Sequence, residues 1–171
     1  MLTRECSKLP RDQAGVMLLE ALIAILIFSL GILSLVALQA TAIQLTGDAK
    51  YRTDATLLAN RLIGQMWVGG SDLTTLETSF ESAGPGPAYT AWLTDVAGTD
   101  GLPGVVAAST GVVSTLPVVT VVLGPNVCGN PPTTPRAAQV TIQLFWRTPE
   151  MSLNLRHQYT VVSEITRNCP P

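Results

Sequence analysis

The side chain that most needs a chemical reason is Glu20, the one ionisable residue in the apolar run from Val16 to Leu38. A charge deep in a membrane segment costs about 3 kcal/mol by insertion scales, so such a group works, finds a partner, or reaches the headgroups. Glu20 stands near the start of the run, where a helix N-terminus also favours a carboxylate. The other chemistry-bearing residues are sparse. The single histidine, His157, lies in a strand-like stretch with no second imidazole, thiol cluster or carboxylate pair at ligand spacing, which argues against a metal site. "GPGPAYT" and "GTDGLPG" do not open helices with phosphate-loop spacing, and prolines stand where amides would be needed, so both read as turns. With no nucleophile elbow either, the chain reads as a non-enzyme with no catalytic residues and no cofactor.

Three cysteines, Cys6, Cys128 and Cys169, make an odd count until the first fifteen residues are set aside. If the remainder is exported to an oxidising compartment, Cys128 and Cys169 can pair. The loop so closed, of roughly 40 residues, is worth about 4 kcal/mol in the chain-entropy view. Two buried free thiols are the alternative.

The elements that must position these groups follow from periodicity. Val16 to Leu38 has the length that a bilayer core demands of a helix, about 20 apolar residues. Arg4, Lys8 and Arg11 against Glu5 and Asp12 make the preceding flank weakly positive, which puts that end in the cytoplasm. A cleaved signal peptide is the rival, since Ala40-Thr41-Ala42 offers a small-x-small site, but its apolar region is typically about 7 to 15 residues. Past the run, Tyr51, Ala55, Leu58, Leu62 and Met66 recur every three to four residues, so one helix extends from about Met17 to Trp67 and ends at Gly69-Gly70. Its apolar stripe needs a cover. Two short helices follow, Leu73/Leu76/Phe80 behind a Ser71 or Asp72 cap and Trp92/Leu93/Val96 after Pro87. Beyond Gly104, "VVAAS", "PVVTVVL", "QVTIQLFW" and "LRHQYTVVSEI" predict four antiparallel strands, with "RTPEM" as a hairpin turn. Val140, Ile142, Leu144 and Trp146 share the face expected against the amphipathic helix.

The chain of 171 residues, 47% hydrophobic, 13% charged and of net charge −2, suits one modest domain plus one membrane segment. Charge is segregated along it. Leu62 to Pro135 contains no Lys or Arg but holds Asp72, Glu77, Glu81, Asp95 and Asp100, whereas Arg136, Arg147, Arg156 and Arg167 outnumber Glu150 and Glu164 later. Such lopsided subunits suit head-to-tail stacking as well as they suit a solvated surface. Nucleic-acid binding finds little support in this pattern.

A basic leader ending in Gly15, an apolar run beginning at Val16 and a glutamate at Glu20 resemble the class III signal of type IV pilins and pseudopilins. "LGILSLVALQATAIQL", "RTDATLLANRLIGQMW", "DGLPG" and "VTIQLFW" are most similar to the PilV group of minor pilins. The resemblance implies cleavage after Gly15 by a prepilin peptidase, methylation of the Val16 amine and retention of the apolar run. It also implies an assembly role for Glu20 opposite that amine. Val16 departs from the phenylalanine usual after the cut.

The expected fold is α+β, a type IV pilin fold in which a long N-terminal helix packs on a small antiparallel sheet. Its parts are a cytoplasmic leader (1–15), a membrane and filament-core helix (16–38) and an amphipathic helix (39–68). A middle segment with short helices (69–104) and a sheet and disulfide region (105–171) complete it. The expected partners are the prepilin peptidase, other minor and major pilins and the inner-membrane assembly platform. The expected location is the inner membrane, single-pass, with the C-terminal part in the periplasm and then the pilus. A minor pseudopilin of a type II secretion system is the near alternative, and a soluble periplasmic binding protein released after Ala42 the distant one. Gly15→Arg is expected to abolish processing, because a bulky cation does not fit a small-residue site. Mass spectrometry of the mature N-terminus checks this, a start at Val16 supporting the junction and a start at Ile43 overturning it.

Overall fold

A computed structural model describes residues 13–69, 72–129 and 131–169. Most of the expected leader, Cys6 and the Ser71 cap lie outside the described residues. The chain is α+β, and it divides into two compact units, Met1–Asp48 and Ala49–Pro171.

The first unit is helical. Helix α1 covers Gln13–Val68, so its first part makes up the described portion of this unit. Every side chain described from Gly15 to Thr46 is exposed, including all the large apolar ones. The stretch is long and apolar enough to cross a membrane.

The second unit builds its core around the rest of α1. Ala55, Ala59, Leu62 and Met66 are fully buried, with Tyr51 and Leu58 partly buried beside them, so the expected stripe is the packed face. Helix α2 (Thr74–Phe80) contributes Leu76 and Phe80, and helix α3 (Pro87–Val96) contributes Tyr89, Trp92 and Val96. Asp72 does not cap α2 from the N-cap position, which is Leu73. Its carboxylate instead accepts from the Thr74 amide at 3.0 Å, and this bond holds the Asp72 carboxyl below the usual aspartate value.

Helix α3 starts with Pro87, whose ring presets the first turn and whose missing N–H costs nothing there. Its two large aromatics tie it to different neighbours. The Trp92 indole N–H donates to the Leu58 carbonyl of α1 at 3.0 Å, and the Tyr89 hydroxyl donates to Pro117 O at 2.8 Å, just before the first strand.

Among the described residues five strands follow: β1 (Val118–Leu123), β2 (Asn126–Cys128), β3 (Thr134–Pro135), β4 (Ala137–Trp146) and β5 (His157–Thr166). Strands β1, β4 and β5 form one antiparallel sheet in the order β1-β4-β5, and β2 and β3 form a separate two-stranded ladder. Val140, Ile142, Leu144 and Trp146 are 0–1% exposed, so the predicted apolar face of β4 is the core face.

Two expectations are corrected. "VVAAS" is not a strand: residues there make only an isolated bridge, Ser109 to Val112. The buried Thr115 hydroxyl organises this segment instead, donating to Gly104 O at 2.6 Å and accepting from the Val106 amide at 2.7 Å. "RTPEM" does not close a tight hairpin either, because the connection runs from Arg147 to Arg156. Arg147 explains its length. The guanidinium is buried and donates from Nε to Leu155 O at 3.1 Å and from a terminal nitrogen to Val113 O at 2.9 Å. The loop must fold back to satisfy that charge. Gly104 lets the neighbouring segment approach, since it has φ +65° and a Cβ there would meet Arg147 O at 2.7 Å.

Burial pushes the Tyr89 phenol above its ordinary value of 10.0. The folded state therefore favours the neutral phenol, and its contribution is complete below that value and lost as pH rises through the raised one. Tyr89→Phe is expected to destabilise the protein by about 1 kcal/mol at neutral pH, the loss of one hydrogen bond. It is also expected to flatten the fall in stability above pH 10.0. Urea unfolding of both proteins at neutral and alkaline pH measures each effect.

Candidate functional site: the apolar helix, its glutamate and the stapled C-terminus

The residues singled out from the sequence fall into two groups in different units. Gly15, Val16 and Glu20 lie on the first part of α1, and Cys128 and Cys169 lie in the second unit.

In the first group, Val16 and Glu20 are four residues apart on one helix, so they occupy the same face one turn apart. Both are exposed. The hydroxyls near them explain why Glu20 stands out chemically. Ser29 donates to Leu26 O and Ser34 to Gly31 O, each at 2.8 Å, while Thr41 donates to Ala37 O at 3.1 Å. These groups satisfy themselves against their own helix and need no water. A carboxylate has no such outlet, because the helix offers it no free donors past the first turn. Among the described residues no hydrogen bond or ion pair engages Glu20.

In the second group, Cys128 and Cys169 are joined as a disulfide, with Cα atoms 5.2 Å apart. Cys128 ends the short strand β2 and is buried. The staple holds a tail that carries a second contact. The Arg167 amide donates to Arg136 O at 2.9 Å, extending the β4–β5 ladder, and its guanidinium donates to Met66 O at 2.8 Å in the last turn of α1. Its Cζ lies 5.8 Å from the centre of the Trp67 ring. A cation at that helix end satisfies an orphan carbonyl and opposes the helix dipole. Nothing in the sequence pattern marks Arg167 for this role, since a lone arginine after a strand reads as solvent-facing.

The remaining features are structural. His157 stacks on Trp146 at 5.4 Å between ring centres. Arg156 lies 3.7 Å over the Phe145 ring and also donates to Ser114 O. A cleft of about 410 Å³ is lined by Lys50, Tyr51, Asp54 and the turn 98–103. Among the described residues no group of three His, Cys, Asp or Glu is placed to hold a metal ion.

No family model matches the sequence, and no curated protein and no solved structure matches the chain.

Replacing both Cys128 and Cys169 by Ser is expected to lower stability by about 4 kcal/mol, the value for closing a loop of this length. It should also free the tail that presents Arg167. Urea unfolding gives the loss, and increased amide exchange in the last turn of α1 reports the freed tail.

Proposed function

We propose that this chain is a minor pilin of the PilV kind, a subunit that helps to initiate, assemble or modify a type IV pilus. The observation that carries the reading is Glu20, a carboxylate with no partner among the described residues, on the exposed apolar first part of α1 and one turn after the residue that prepilin processing would expose. Cleavage after Gly15 by a prepilin peptidase frees the Val16 amine and leaves the apolar run in the inner membrane, the second unit facing the periplasm. The layout supports a type IV pilin fold: a long helix apolar in its first part and core-forming in its second, a middle segment with short helices, and a small sheet closed by a cysteine pair.

The mechanism is electrostatic. In the membrane Glu20 lies near the headgroup region and is partly solvated. Moving the subunit into a filament core of packed apolar helices removes that solvent, and desolvation is offset only if a cation arrives in the same step. The Val16 ammonium of the subunit or of its neighbour is that cation. Because apolar helices slide past one another at little cost, one charge pair also sets their axial register, as a single polar residue does in a coiled coil.

Glu20→Ala is expected to leave membrane insertion and cleavage after Gly15 intact, because it makes the run more apolar, and to reduce the chain's abundance in sheared filaments at least ten-fold. Glu20→Asp is expected to restore part of it. Quantitative immunoblots of membranes and sheared filaments test this, and wild-type abundance of Glu20→Ala in filaments would overturn the assembly role.

A further inference from the structure

The two edges of the three-stranded sheet are treated differently. On β1 the outward backbone groups belong to Val119, Val121 and Leu123. The Ser82 amide donates to Val119 O, the Val119 amide donates to Ser82 Oγ, and the Val121 amide donates to a Glu81 carboxylate oxygen, each at 3.1 Å. The segment that leaves α2 thus lies across this edge at Val119 and Val121, with two side chains and one amide.

The edge of β5 has no such cover. The Arg167 amide bonds Arg136 O, so Arg136 and Arg167 face each other as a hydrogen-bonded pair. Stepping by two along the β4–β5 register, Tyr159, Val161, Ser163 and Ile165 turn their amides and carbonyls toward β4. Gln158, Thr160, Val162, Glu164 and Thr166 therefore turn theirs outward. All five are exposed, and among the described residues no hydrogen bond reaches their backbone groups. The strand is ten residues long, regular in register and free of proline and lysine, and Glu164 is the one charge in its outward row.

We propose that the outer edge of β5 is a docking surface for an extended strand from a neighbouring filament subunit of a different kind. The choice of occupant rests on the filament reading above. Contacts between identical copies in a filament of one polarity are heterologous, one patch against a different one. A β5-to-β5 contact is isologous and needs a two-fold axis that such a filament lacks. A β5-to-β1 contact is heterologous, but Glu81 and Ser82 already occupy β1. With β2 and β3 only three and two residues long, too short to run along a ten-residue edge, the incoming strand is assigned to another subunit. The exposed row sets its chemistry: a cation or hydroxyl beside Glu164, an apolar β-branched residue beside Val162, and no proline at the bonded positions. Main-chain bonds along the edge supply affinity and this row supplies selectivity.

The test uses the full-length chain in its native cells, with a photoreactive benzoylphenylalanine at Thr160. Irradiation is expected to give an adduct whose cross-linked peptide maps to an edge strand of a different membrane-anchored subunit. Val162→Pro removes one outward donor and none of the β4 ladder. It is expected to keep the wild-type thermal midpoint and to lower the adduct at least ten-fold. Val162→Lys keeps the backbone amide but blunts the edge with a charge; it should lower the adduct several-fold, and it decides the matter if the proline variant does not fold. An adduct unchanged in a folded variant, an adduct only with a second copy, or no adduct from a probe-bearing chain abundant in the membrane would each overturn the proposal. Absence of the wild-type chain from sheared filaments would overturn the filament reading instead, and the adduct formed in membranes would still report on the edge.

Discussion

One helix in this chain has to satisfy two different surroundings, and the rest of the structure follows from how it does so. Before Asp48 its side chains are apolar on all faces and uncovered, which water does not favour and hydrocarbon does. After Ala49 the same helix carries an apolar stripe and polar flanks, and the stripe is covered by protein. Ala55 and Ala59 matter as much as Leu62 and Met66 here. They share one core with Trp92 and Trp146, both almost fully buried, and the Trp92 indole reaches the Leu58 carbonyl on the turn between the two alanines. A second unit that failed to cover this stripe would leave a contiguous apolar surface exposed, so the sheet and the two short helices are required by the helix.

The arginines show how the second unit is locked after the apolar faces have met. Arg147, Arg156 and Arg167 each bond a backbone carbonyl, and none of the three makes an ion pair among the described residues. Each carbonyl is one that regular structure leaves unpaired: two in the segment before β1, one in the long β4–β5 loop and one at the end of α1. The charge segregation along the sequence therefore has a partial internal explanation. Three of the four C-terminal arginines are engaged in holding loops and a helix end, which reduces the case for a free basic face made for head-to-tail stacking. A surface ion pair, Arg61 with Asp95 at 3.0 Å, links α1 to α3 and contributes little at such exposure.

What was legible in the sequence was what repeats. The 3.6-residue spacing of Ala55, Leu58, Leu62 and Met66, the alternation of Val140, Ile142, Leu144 and Trp146, and the short helices after Asp72 and before Val96 all specify elements by local pattern. The misreadings occur where single polar side chains override β-propensity. "VVAAS" has the composition of a strand, yet Thr115 takes the polar groups of Gly104 and Val106 that a ladder would have used. The β2–β3 ladder contains Pro135 and spans too few residues to give any period. Phe145 is buried on the face of β4 opposite the core because Arg156 covers it, a long-range event that no window of sequence contains. Of the candidate site, Glu20 was legible as an anomaly, a charge where the solvent argument allows none. The open edge of β5 was not, since an edge is defined by which strands fail to arrive.

Glu20 and the edge of β5 pose the same physical problem at two places in the chain. In the proposed filament each would be a polar group that the subunit alone leaves unsatisfied: a carboxylate on an apolar helix, and a row of amides and carbonyls beside a packed neighbour. In water neither matters, because solvent completes both. In a close-packed assembly water leaves, and each group then discriminates among neighbours by the cost of being left unpaired, which exceeds the net gain of pairing it. In the assembly proposed above, Glu20 would reject a neighbour whose helix sits at the wrong height, and the edge would reject one that brings no strand. Apolar packing alone would accept both, since burial of hydrocarbon has no preferred register. Unpaired polar groups would therefore give the proposed filament subunit a selectivity that its large apolar surface lacks.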